Sequence, residues 1–366
     1  MAIKLQVSKE NLLLGLHRVQ NVISARSTLP ILNNVLLTAE KNSLALTTTD
    51  LEVGIRTTVE ATVSKTGAST VPCRKLLAVI REATASDVEI DVDDRDAAVV
   101  RYGSSVFKLL GLPEGEFPRF PSITGGVEFT LEQAALAKLL DRTSYAASTE
   151  ESRYVLNGVY FSVKSEKVTA VATDGRRLAL AEEECQTSVT KEVGFILPTK
   201  AVSELMRLLQ PSGNVKAAFS DTQISFNMGH TVLVSKLIDG EFPNYRQVIP
   251  TESKERVKLE RELFLKALHR VSLLSQDKPT AVRLSFSKNQ LSLASFDPEV
   301  GEAKETLSIQ YKGKDFTIGF NPHYLMDPLR HLDSDMITFD LTDDISPGVI
   351  KVEEPFIYVL MPMRLN

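Results

Sequence analysis

The sequence predicts an α+β fold built from three tandem copies of one domain. A short strand ending in an aspartate recurs three times, with Asp50, Asp174 and Asp297 roughly 120 residues apart. Within each copy, helical and strand-like hydrophobic patterns alternate. A period of this length is too long for a solenoid unit and fits a whole domain, so we expect one domain written three times.

Other landmarks keep the same period and set the predicted boundaries. The dipeptide Phe117-Pro118 returns as Phe242-Pro243. Polar or glycine-containing stretches fall at the junctions, near Gly125-Gly126 and near residues 251–254. We therefore predict three domains, at residues 1–126, 127–253 and 254–366.

The first copy opens with a strand from Ile3 to Val7, after which Ser8 is a candidate helix N-cap. One helix face then carries apolar residues at helical spacing: Leu12, Leu16, Val19 and Ile23. After Pro30, apolar and polar residues alternate, which predicts strands, and residues 41–43 predict a hairpin turn between two of them.

Second helices follow in each copy, and further strands close the first copy. Five further helices are predicted, with these bounds: Arg74 to Ala83, Leu131 to Ser144, Thr199 to Leu209, Arg261 to Leu274 and Pro322 to Leu332. The predicted closing strands run from Val88 to Val92, Ala98 to Tyr102 and Val106 to Leu110. Helices over a mostly antiparallel sheet make an α+β layer arrangement.

Composition is that of a soluble globular protein, with 43% hydrophobic and 24% charged residues in 366. No apolar run is long enough for a membrane span, and the N-terminus becomes charged too early for a signal peptide. The chain has two cysteines, Cys73 and Cys185, far apart in sequence. We expect a reducing, cytoplasmic location and a buried, inert thiol at Cys73 rather than a partly exposed one.

The formal net charge of −5 argues against a plain nucleic-acid-binding surface. It leaves room for an acidic body with a basic lining, because the local field sets affinity for DNA. Arg18, Arg142 and Arg270 occupy one aligned position on the first helix of each copy. Any single arginine there fits an ordinary solvated face, but the threefold recurrence favours a functional role.

No catalytic or cofactor motif is present. The sequence has no glycine-rich phosphate loop, no cysteine or histidine pattern at zinc spacing and no G-x-S-x-G elbow. The most enzyme-like string is residues 173–177, in which Asp174 with Arg176 and Arg177 is a candidate hydrolase centre. Because Asp50 follows a strand in the same way, we favour a turn-forming aspartate. We predict no cofactor, no metal and no catalytic residue.

Several motifs, taken in order, resemble one family over essentially the whole length. The motifs that carry this resemblance are TLPILNN at residues 28–34, TTDLE at 48–52, RYVLNG at 153–158, ATDGRRL at 172–178, LIDGEFPNY at 237–245 and YVLMPMRL at 358–365. The chain resembles the bacterial β sliding clamps, the non-catalytic processivity subunits of DNA polymerase III. The resemblance implies three clamp domains with helices inside and antiparallel sheets outside, and a head-to-tail homodimer forming a six-domain ring.

The resemblance also implies how such a ring works and where it contacts DNA. It implies encirclement of double-stranded DNA without sequence preference, and sliding on weak phosphate contacts. The family's DNA-contact positions fall on Arg26, Arg74 and Tyr154, with Lys200 a further candidate. Glu150 and Val155 depart from the family's pattern and make the second domain's DNA loop a weaker expectation. Family dimer-interface positions fall on Phe107, Leu109, Leu273 and Leu274, for which core packing is the alternative interpretation.

A peptide pocket between the second and third domains is the other implied site. Its family positions fall on Arg153, Leu156, Thr173, Gly175, Arg176, Arg177, Leu178, Pro243, Val248, Asn321, Tyr324, Ile345, Val359, Met361, Pro362, Met363, Arg364 and Leu365. Adaptable methionines suit a pocket that accepts different peptides, and Arg153 and Arg177 could cap peptide carbonyls or carboxylates. Arg176 replaces a frequent histidine, and Asn366 lengthens the tail. An ordinary buried last strand is the alternative for this ending.

Through that pocket the resemblance implies a set of partners: the polymerase III catalytic subunit, the clamp loader complex, other polymerases and mismatch-repair proteins. No membrane is expected among them. Two rival functions remain open at this point. One is a hydrolase using Asp174, and the other is an oligomeric scaffold that does not bind DNA.

Overall fold

The computed structural model describes residues 3–23, 29–123, 126–187, 189, 191–275 and 281–365. Within these ranges the chain forms six α-helices: α1 (Lys9–Val19), α2 (Cys73–Arg81), α3 (Gln133–Thr143), α4 (Thr199–Leu208), α5 (Arg261–Ser272) and α6 (Pro322–Arg330). Helices α2 to α6 each lie within two residues of a predicted helix at both ends, so these predictions are confirmed. Helix α1 is also present, but it ends at Val19, so Ile23 of the predicted helix face lies beyond it.

The strands of the first half of the chain are β1 (Ile3–Ser8), β2 (Asn34–Glu40), β3 (Ser43–Thr49), β4 (Val53–Glu60), β5 (Thr62–Lys65), β6 (Gly67–Pro72), β7 (Asp87–Val92), β8 (Ala97–Tyr102), β9 (Ser105–Leu110), β10 (Val127–Glu132), β11 (Gly158–Lys164), β12 (Lys167–Thr173) and β13 (Arg177–Glu184).

The strands of the second half are β14 (Gln186–Thr187), β15 (Val193–Pro198), β16 (Asn214–Phe219), β17 (Gln223–Asn227), β18 (Thr231–Lys236), β19 (Glu255–Glu260), β20 (Val282–Ser287), β21 (Gln290–Asp297), β22 (Gly301–Ser308), β23 (Phe316–Phe320), β24 (Met336–Leu341), β25 (Gly348–Lys351) and β26 (Phe356–Leu360).

The chain divides into two compact units. Unit 1 comprises residues 1–134, 186–189 and 200–237. Its described residues form a five-stranded sheet, in the order β5-β1-β7-β8-β9, and a nine-stranded sheet, in the order β14-β10-β16-β17-β18-β4-β3-β2-β6. Every strand pair among the described residues of both sheets is antiparallel, as predicted.

Unit 2 comprises residues 135–185, 190–199 and 238–366. In the part of the chain that the structure describes, it forms an eight-stranded sheet, β15-β11-β12-β13-β26-β25-β24-β19, and a four-stranded sheet, β22-β21-β20-β23. The units do not follow the repeats, because β4 pairs with β18 in unit 1 and β13 with β26 in unit 2. Each long sheet thus joins halves of successive repeats, and the three domain boundaries stay a prediction.

Helix α1 shows how local sequence sets an element. The Ser8 side chain accepts a hydrogen bond from the Asn11 backbone N–H at 3.1 Å and so caps the first turn, as predicted. Leu12, Leu16 and Val19 are fully buried on one face. Burial of this apolar stripe provides most of the stability of such a short helix.

One hydroxyl-to-carbonyl bond ties the sheet to the first helix in two of the repeats. In unit 1, Thr48 Oγ1 donates to the Val19 carbonyl at 2.6 Å. In unit 2, the aligned Ser295 Oγ donates to the Val271 carbonyl at 2.5 Å. Both hydroxyls are buried and both carbonyls lie at the C-terminal end of a helix, where backbone acceptors lack intrahelical partners. The internal repeat therefore extends to individual hydrogen bonds.

The aligned arginines do not share one environment. Arg142 is buried, with its guanidinium paired to Glu354 and 3.9 Å from Asp333. Arg270 Nε donates to Glu305 at 2.8 Å. The expectation that threefold recurrence marks a common functional surface is wrong for Arg142, because a guanidinium held inside the fold by carboxylates is a structural ion pair.

The prediction of a buried, inert thiol at Cys73 is confirmed. Cys73 is fully buried and desolvation raises the pKa of its thiol to about 12, as expected for an inert thiol. Cys185 is also buried, with its pKa raised to about 11, first by desolvation and then by Glu166. Among the described residues, no helix is both long and apolar enough to cross a membrane.

Candidate functional site

A tight turn after a strand is built the same way in all three repeats. Asp174 Oδ1 accepts hydrogen bonds from the backbone N–H groups of Arg176 and Arg177, at 2.9 and 3.0 Å. Asp50 and Asp297 each accept from the backbone N–H groups two and three residues ahead, at 2.7–3.1 Å. The turn-forming interpretation of Asp174 is confirmed, since its carboxylate is used in holding backbone.

Thr173 and Gly175 complete the turn in unit 2. Thr173 Oγ1 accepts from the Gly175 N–H at 3.0 Å and donates to the Arg177 carbonyl at 2.6 Å. Gly175 has φ +85°, and a Cβ there would lie 2.8 Å from Arg153 Nη1. Glycine both permits the left-handed backbone and lets the Arg153 guanidinium lie on the turn, where Nη1 donates to the Asp174 carbonyl at 3.0 Å.

An apolar cluster underlies this turn in unit 2. Its buried members are Leu156, Val171, Leu178, Leu180, Ile196, Phe242, Tyr245 and Val359. The pairing of β13 with β26 places Leu178 opposite Val359. Three residues predicted for the peptide pocket, Leu156, Leu178 and Val359, therefore belong to one continuous apolar floor.

Arg177 is the central cross-link of the site. Its Nε donates to Asp174 Oδ2 at 3.0 Å, its Nη2 donates to the Tyr145 carbonyl at 2.7 Å, and its Nη1 pairs with Asp327. The guanidinium also lies 4.3 Å from the ring centroid of Tyr324. Desolvation alone would lower its pKa, but Tyr358 and the Asp327 carboxylate raise it overall. These contacts give Arg177 a packing role, and its capping of a bound peptide stays a prediction.

We expect Arg177→Met to lower the free energy of unfolding by about 3 kcal/mol, because it leaves Asp174 and Asp327 without their shared cation in a largely buried site. Arg176→Met is the matched control, since Arg176 is an exposed neighbour and a surface change costs within about 0.5 kcal/mol. Urea unfolding of both variants measures the difference. Equal midpoints would show that the Arg177 network contributes nothing to stability.

The C-terminal tail forms the opposite side of the site. The Met361 N–H donates to the Arg176 carbonyl at 3.0 Å, and the Met363 N–H donates to the Gly319 carbonyl at 2.8 Å. A Cβ at Gly319 would lie 2.6 Å from Leu365, so glycine lets the tail lie close to β23. Met361 nevertheless keeps 45% of its surface exposed, although backbone bonds fix its position.

Exposed apolar side chains accompany the fixed tail. Val248 is the last residue of the short helical turn Tyr245–Val248, in which Tyr245 is buried. Ile345 lies in the turn between β24 and β25, where Asp343 Oδ1 accepts a hydrogen bond from its N–H at 3.1 Å. Both side chains are exposed. The pairing of Gly348 with Leu360 brings that turn beside the end of β26. We name this surface of unit 2, from the apolar floor to the tail, the unit 2 groove.

All residues predicted for the peptide pocket lie in unit 2. Asn321 caps α6 by accepting from the His323 N–H at 2.9 Å, and Tyr324 accepts a hydrogen bond from Tyr358 Oη at 2.8 Å through its carbonyl. Of the other residues predicted for the pocket, Pro243 and Arg364 are exposed and Pro362 is half-buried. Whether these residues bind peptide stays a prediction.

Sequence reasoning missed the residues that support the groove from beneath. Asp327 and Tyr145 hold the Arg177 guanidinium but lie 150 and 32 residues away in sequence. Tyr160 stacks on Phe242 with ring centroids 5.0 Å apart. The recurring Phe-Pro dipeptide was a usable signal for Phe242, whereas nothing local indicated Asp327.

The residues predicted to contact DNA have different surroundings. Arg74 is exposed on α2 and its Nη2 donates to the Ile23 carbonyl at 3.0 Å, while Tyr154 is exposed in unit 2. Lys200 pairs with Asp50, which offsets its positive charge. Arg26 lies outside the described residues, as do Gly125 of the first predicted boundary and Asn366.

The predicted interface residues keep part or much of their apolar surface exposed. Phe107 and Leu109 are on β9, which pairs only with β8 in the described chain and buries none of its own residues. Leu273 follows α5 and is 50% exposed, and Leu274 beside it is half-buried. Apolar side chains that stay at least partly exposed, two of them on a strand with one unpaired edge, are typical of a protein–protein contact.

Three tandem α+β repeats with a backbone-holding aspartate turn in each are features of a clamp-type protein rather than of an enzyme. Family models of the DNA polymerase III beta subunit match in order: the N-terminal domain at residues 3–121, the central domain at 130–244 and the C-terminal domain at 246–364.

Whole-length relatives give the same result. The chain is 34% identical over 363 residues to the beta sliding clamp of Chlamydia muridarum, covering 99% of both chains. It is 37% identical over 368 residues to that of Proteus mirabilis, covering 99% of this chain and 100% of the relative. The solved sliding clamp of Pseudomonas aeruginosa bound to griselimycin matches with TM-score 0.95 and 34% identity over 100% of both chains.

The chain therefore belongs to the DNA polymerase III beta subunit family, the beta sliding clamps. It is a non-catalytic DNA sliding clamp of replication, and the fold prediction of three clamp domains is confirmed. The hydrolase and the scaffold without DNA find no support. In the residues that the structure describes, no group of histidine, cysteine and acidic side chains is arranged to hold a metal ion.

Proposed function

We propose that two copies of this chain join head to tail in a six-domain ring that encircles duplex DNA, with helices lining the hole and sheets outside. The observation that carries the proposal is the full-length match to sliding clamps in domain order. A protein that holds DNA by topology needs only weak phosphate contacts, which agrees with a net charge of −5. A cytoplasmic location follows from this role.

Two strand edges support the head-to-tail contact. Strand β9 ends one sheet of unit 1, and β22 ends the four-stranded sheet of unit 2. Neither strand buries any of its residues in the described chain. We infer that β9 of one copy pairs with β22 of the other, alongside Leu273 and Leu274, because a heterologous contact that closes leaves no free edge.

The unit 2 groove is proposed as the docking site for the polymerase III catalytic subunit, the clamp loader, other polymerases and mismatch-repair proteins. The unbranched side chain of Met361 is exposed at the rim, while the apolar floor is buried and Arg177 is held by several hydrogen bonds. Such a combination suits short apolar peptides of differing sequence. A bound peptide gains an ordered floor without paying to order it.

Phosphate contact by Arg74 is tested with a charge reversal. Arg74→Glu should weaken binding of duplex DNA at low salt and reduce the slope of log K against log salt by about 1, as expected when one phosphate contact is lost. Arg81→Glu is the matched control, with an equal charge change on an exposed arginine of the same helix. Fluorescence anisotropy with a labelled duplex measures both. Equal losses in both variants would exclude a specific role for Arg74.

A further inference from the structure

Unit 1 repeats the backbone framework of the unit 2 groove. The isolated bridge between Thr70 and Leu112 corresponds to that between Ile196 and Ile238. In each case, the bridge holds the segment that follows the last strand of the repeat against a strand of the sheet. These segments contain the recurring Phe-Pro dipeptides, so each unit carries a strap across one sheet face. In unit 1 we call residues 112–120 the unit 1 strap.

A second backbone bond and an apolar cluster also recur. The Lys236 N–H donates to the Glu52 carbonyl at 2.8 Å, as Met361 does to Arg176 in unit 2. The cluster beneath the unit 1 strap contains Ile31, Leu32, Leu36, Leu112 and Phe117. In the repeat these align with Val155, Leu156, Tyr160, Ile238 and Phe242 of the unit 2 cluster.

The two repeats differ in the residue that lies beneath the strap. In unit 2, Tyr160 stacks on Phe242 and lies 6.0 Å from Tyr245, filling the region between strap and sheet. In unit 1 the aligned residue is Leu36, which has no ring to fill that region. A cavity of 820 Å³ lies there, with Leu36 and Ala45 among its lining residues. This volume is within the range of ligand-binding sites.

Arg56 places a positive charge in this cavity. Its guanidinium lies 4.4 Å from the Phe120 ring centroid, and its Nε donates to Thr47 Oγ1 at 3.2 Å. Among the described residues, no carboxylate forms an ion pair with it. Desolvation lowers its pKa, an effect that Glu40 only partly offsets. A guanidinium held by an aromatic ring and a hydroxyl, without an ionic partner, favours an incoming carboxylate.

The other charged groups facing the cavity narrow the choice of ligand. Glu40 and Glu114 line it on the sheet and on the strap, and Arg119 lies near the end of the strap. The two carboxylates would repel a phosphate backbone, which argues against nucleic acid. Alternating acidic and basic groups around an apolar floor instead complement a peptide whose side chains carry both charges.

We propose that this cavity, floored by Leu36, Ala45 and Phe117, is a second docking site, which binds a short peptide of a protein partner in which an apolar side chain stands beside an acidic one. The acidic side chain pairs with Arg56, the apolar one rests on the floor, and a flanking basic residue meets Glu40 or Glu114. The site is separate from the unit 2 groove. It selects a different peptide, because Arg56 occupies the strand position at which the aligned residue in unit 2 is Leu180.

The test uses the full-length chain and an array of capped, fluorescein-labelled peptides. Each peptide carries Leu or Phe next to Asp or Glu, in either order, with a Lys on one side. We expect at least one to bind saturably, and its amide analogue, with Asn or Gln for the acid, to bind more weakly. Arg56→Gln should weaken binding about tenfold, the effect of losing one charge-assisted pair. Ala45→Phe, which fills the floor, should abolish it.

Met361→Ala is the control for the unit 2 groove and should leave this binding unchanged. Thermal melting of each variant confirms that it is folded, and the exposed Arg56 makes Arg56→Gln the safer of the two changes. Binding by no peptide of the array would overturn the proposal. So would equal binding to the wild type and Arg56→Gln, or binding lost in Met361→Ala and kept in Ala45→Phe.

Discussion

Replacing Leu273 and Leu274 together by alanine is expected to convert the dimer into monomers. Leu273 is 50% exposed and Leu274 is half-buried in the single chain, so the proposed contact would bury most of what remains. Truncating a leucine that is buried in the assembly costs ~2–5 kcal/mol. Even the lower value weakens association roughly thirtyfold.

Leu263→Ala is the matched control, since Leu263 is on α5 and is also 50% exposed. Sedimentation equilibrium over a range of concentrations measures the dissociation constant of each variant, and far-UV circular dichroism checks the fold. We expect dimer affinity to fall in the double variant and to stay unchanged in Leu263→Ala. A double variant that dimerises as tightly as the wild type would place the interface elsewhere.

Ending the chain after Leu360 is expected to abolish binding of a polymerase-type peptide, a short apolar sequence containing glutamine. The deletion removes Met361 and Met363, together with their backbone bonds to Arg176 and Gly319. Loss of a central anchor costs at least about 2 kcal/mol, or roughly thirtyfold in affinity. The dimer should persist, because the proposed interface residues lie outside the deleted tail.

Point variants separate the side chain from the tail. Met361→Ala should weaken the same peptide severalfold, whereas Met336→Ala should not, although Met361 and Met336 are 45% and 49% exposed. Isothermal titration calorimetry with one synthetic peptide compares all four proteins. Undiminished affinity in the deleted chain would refute the assignment of the tail to the groove.

Local patterns were sufficient for the elements and the turns. The Ser8 cap, the apolar stripe of α1 and the aspartate turns each depend on residues within a few positions of one another. The repeat added information that a single copy lacks, since Asp50 indicated a structural role for Asp174. An aspartate that forms the same turn in every repeat is better explained by a structural role than by a catalytic one.

Long-range contacts could not be predicted in the same way. Asp327 reaches Arg177 only because α6 packs near β13, and no spacing in the sequence encodes that approach. Burial of Arg142 depends similarly on Glu354. Alignment of three arginines therefore misled, because the repeated backbone places the residue but the surrounding sheet determines its partner.

The pairing of Lys200 with Asp50 illustrates the same limit for function. A lysine at a predicted DNA-contact position has part of its charge offset by a turn-forming carboxylate from another repeat. The family resemblance indicated Lys200 as a DNA-contact candidate, and the structure showed that Asp50 is its partner. Its contribution to DNA contact should be smaller than that of Arg74, which bonds only a backbone carbonyl among the described contacts.

Electron microscopy of the purified chain, with class averaging of single particles, tests the central claim most directly. We expect a closed ring of two chains with six lobes and a hole wide enough for duplex DNA. Compact particles without a hole would contradict encirclement of DNA by this chain.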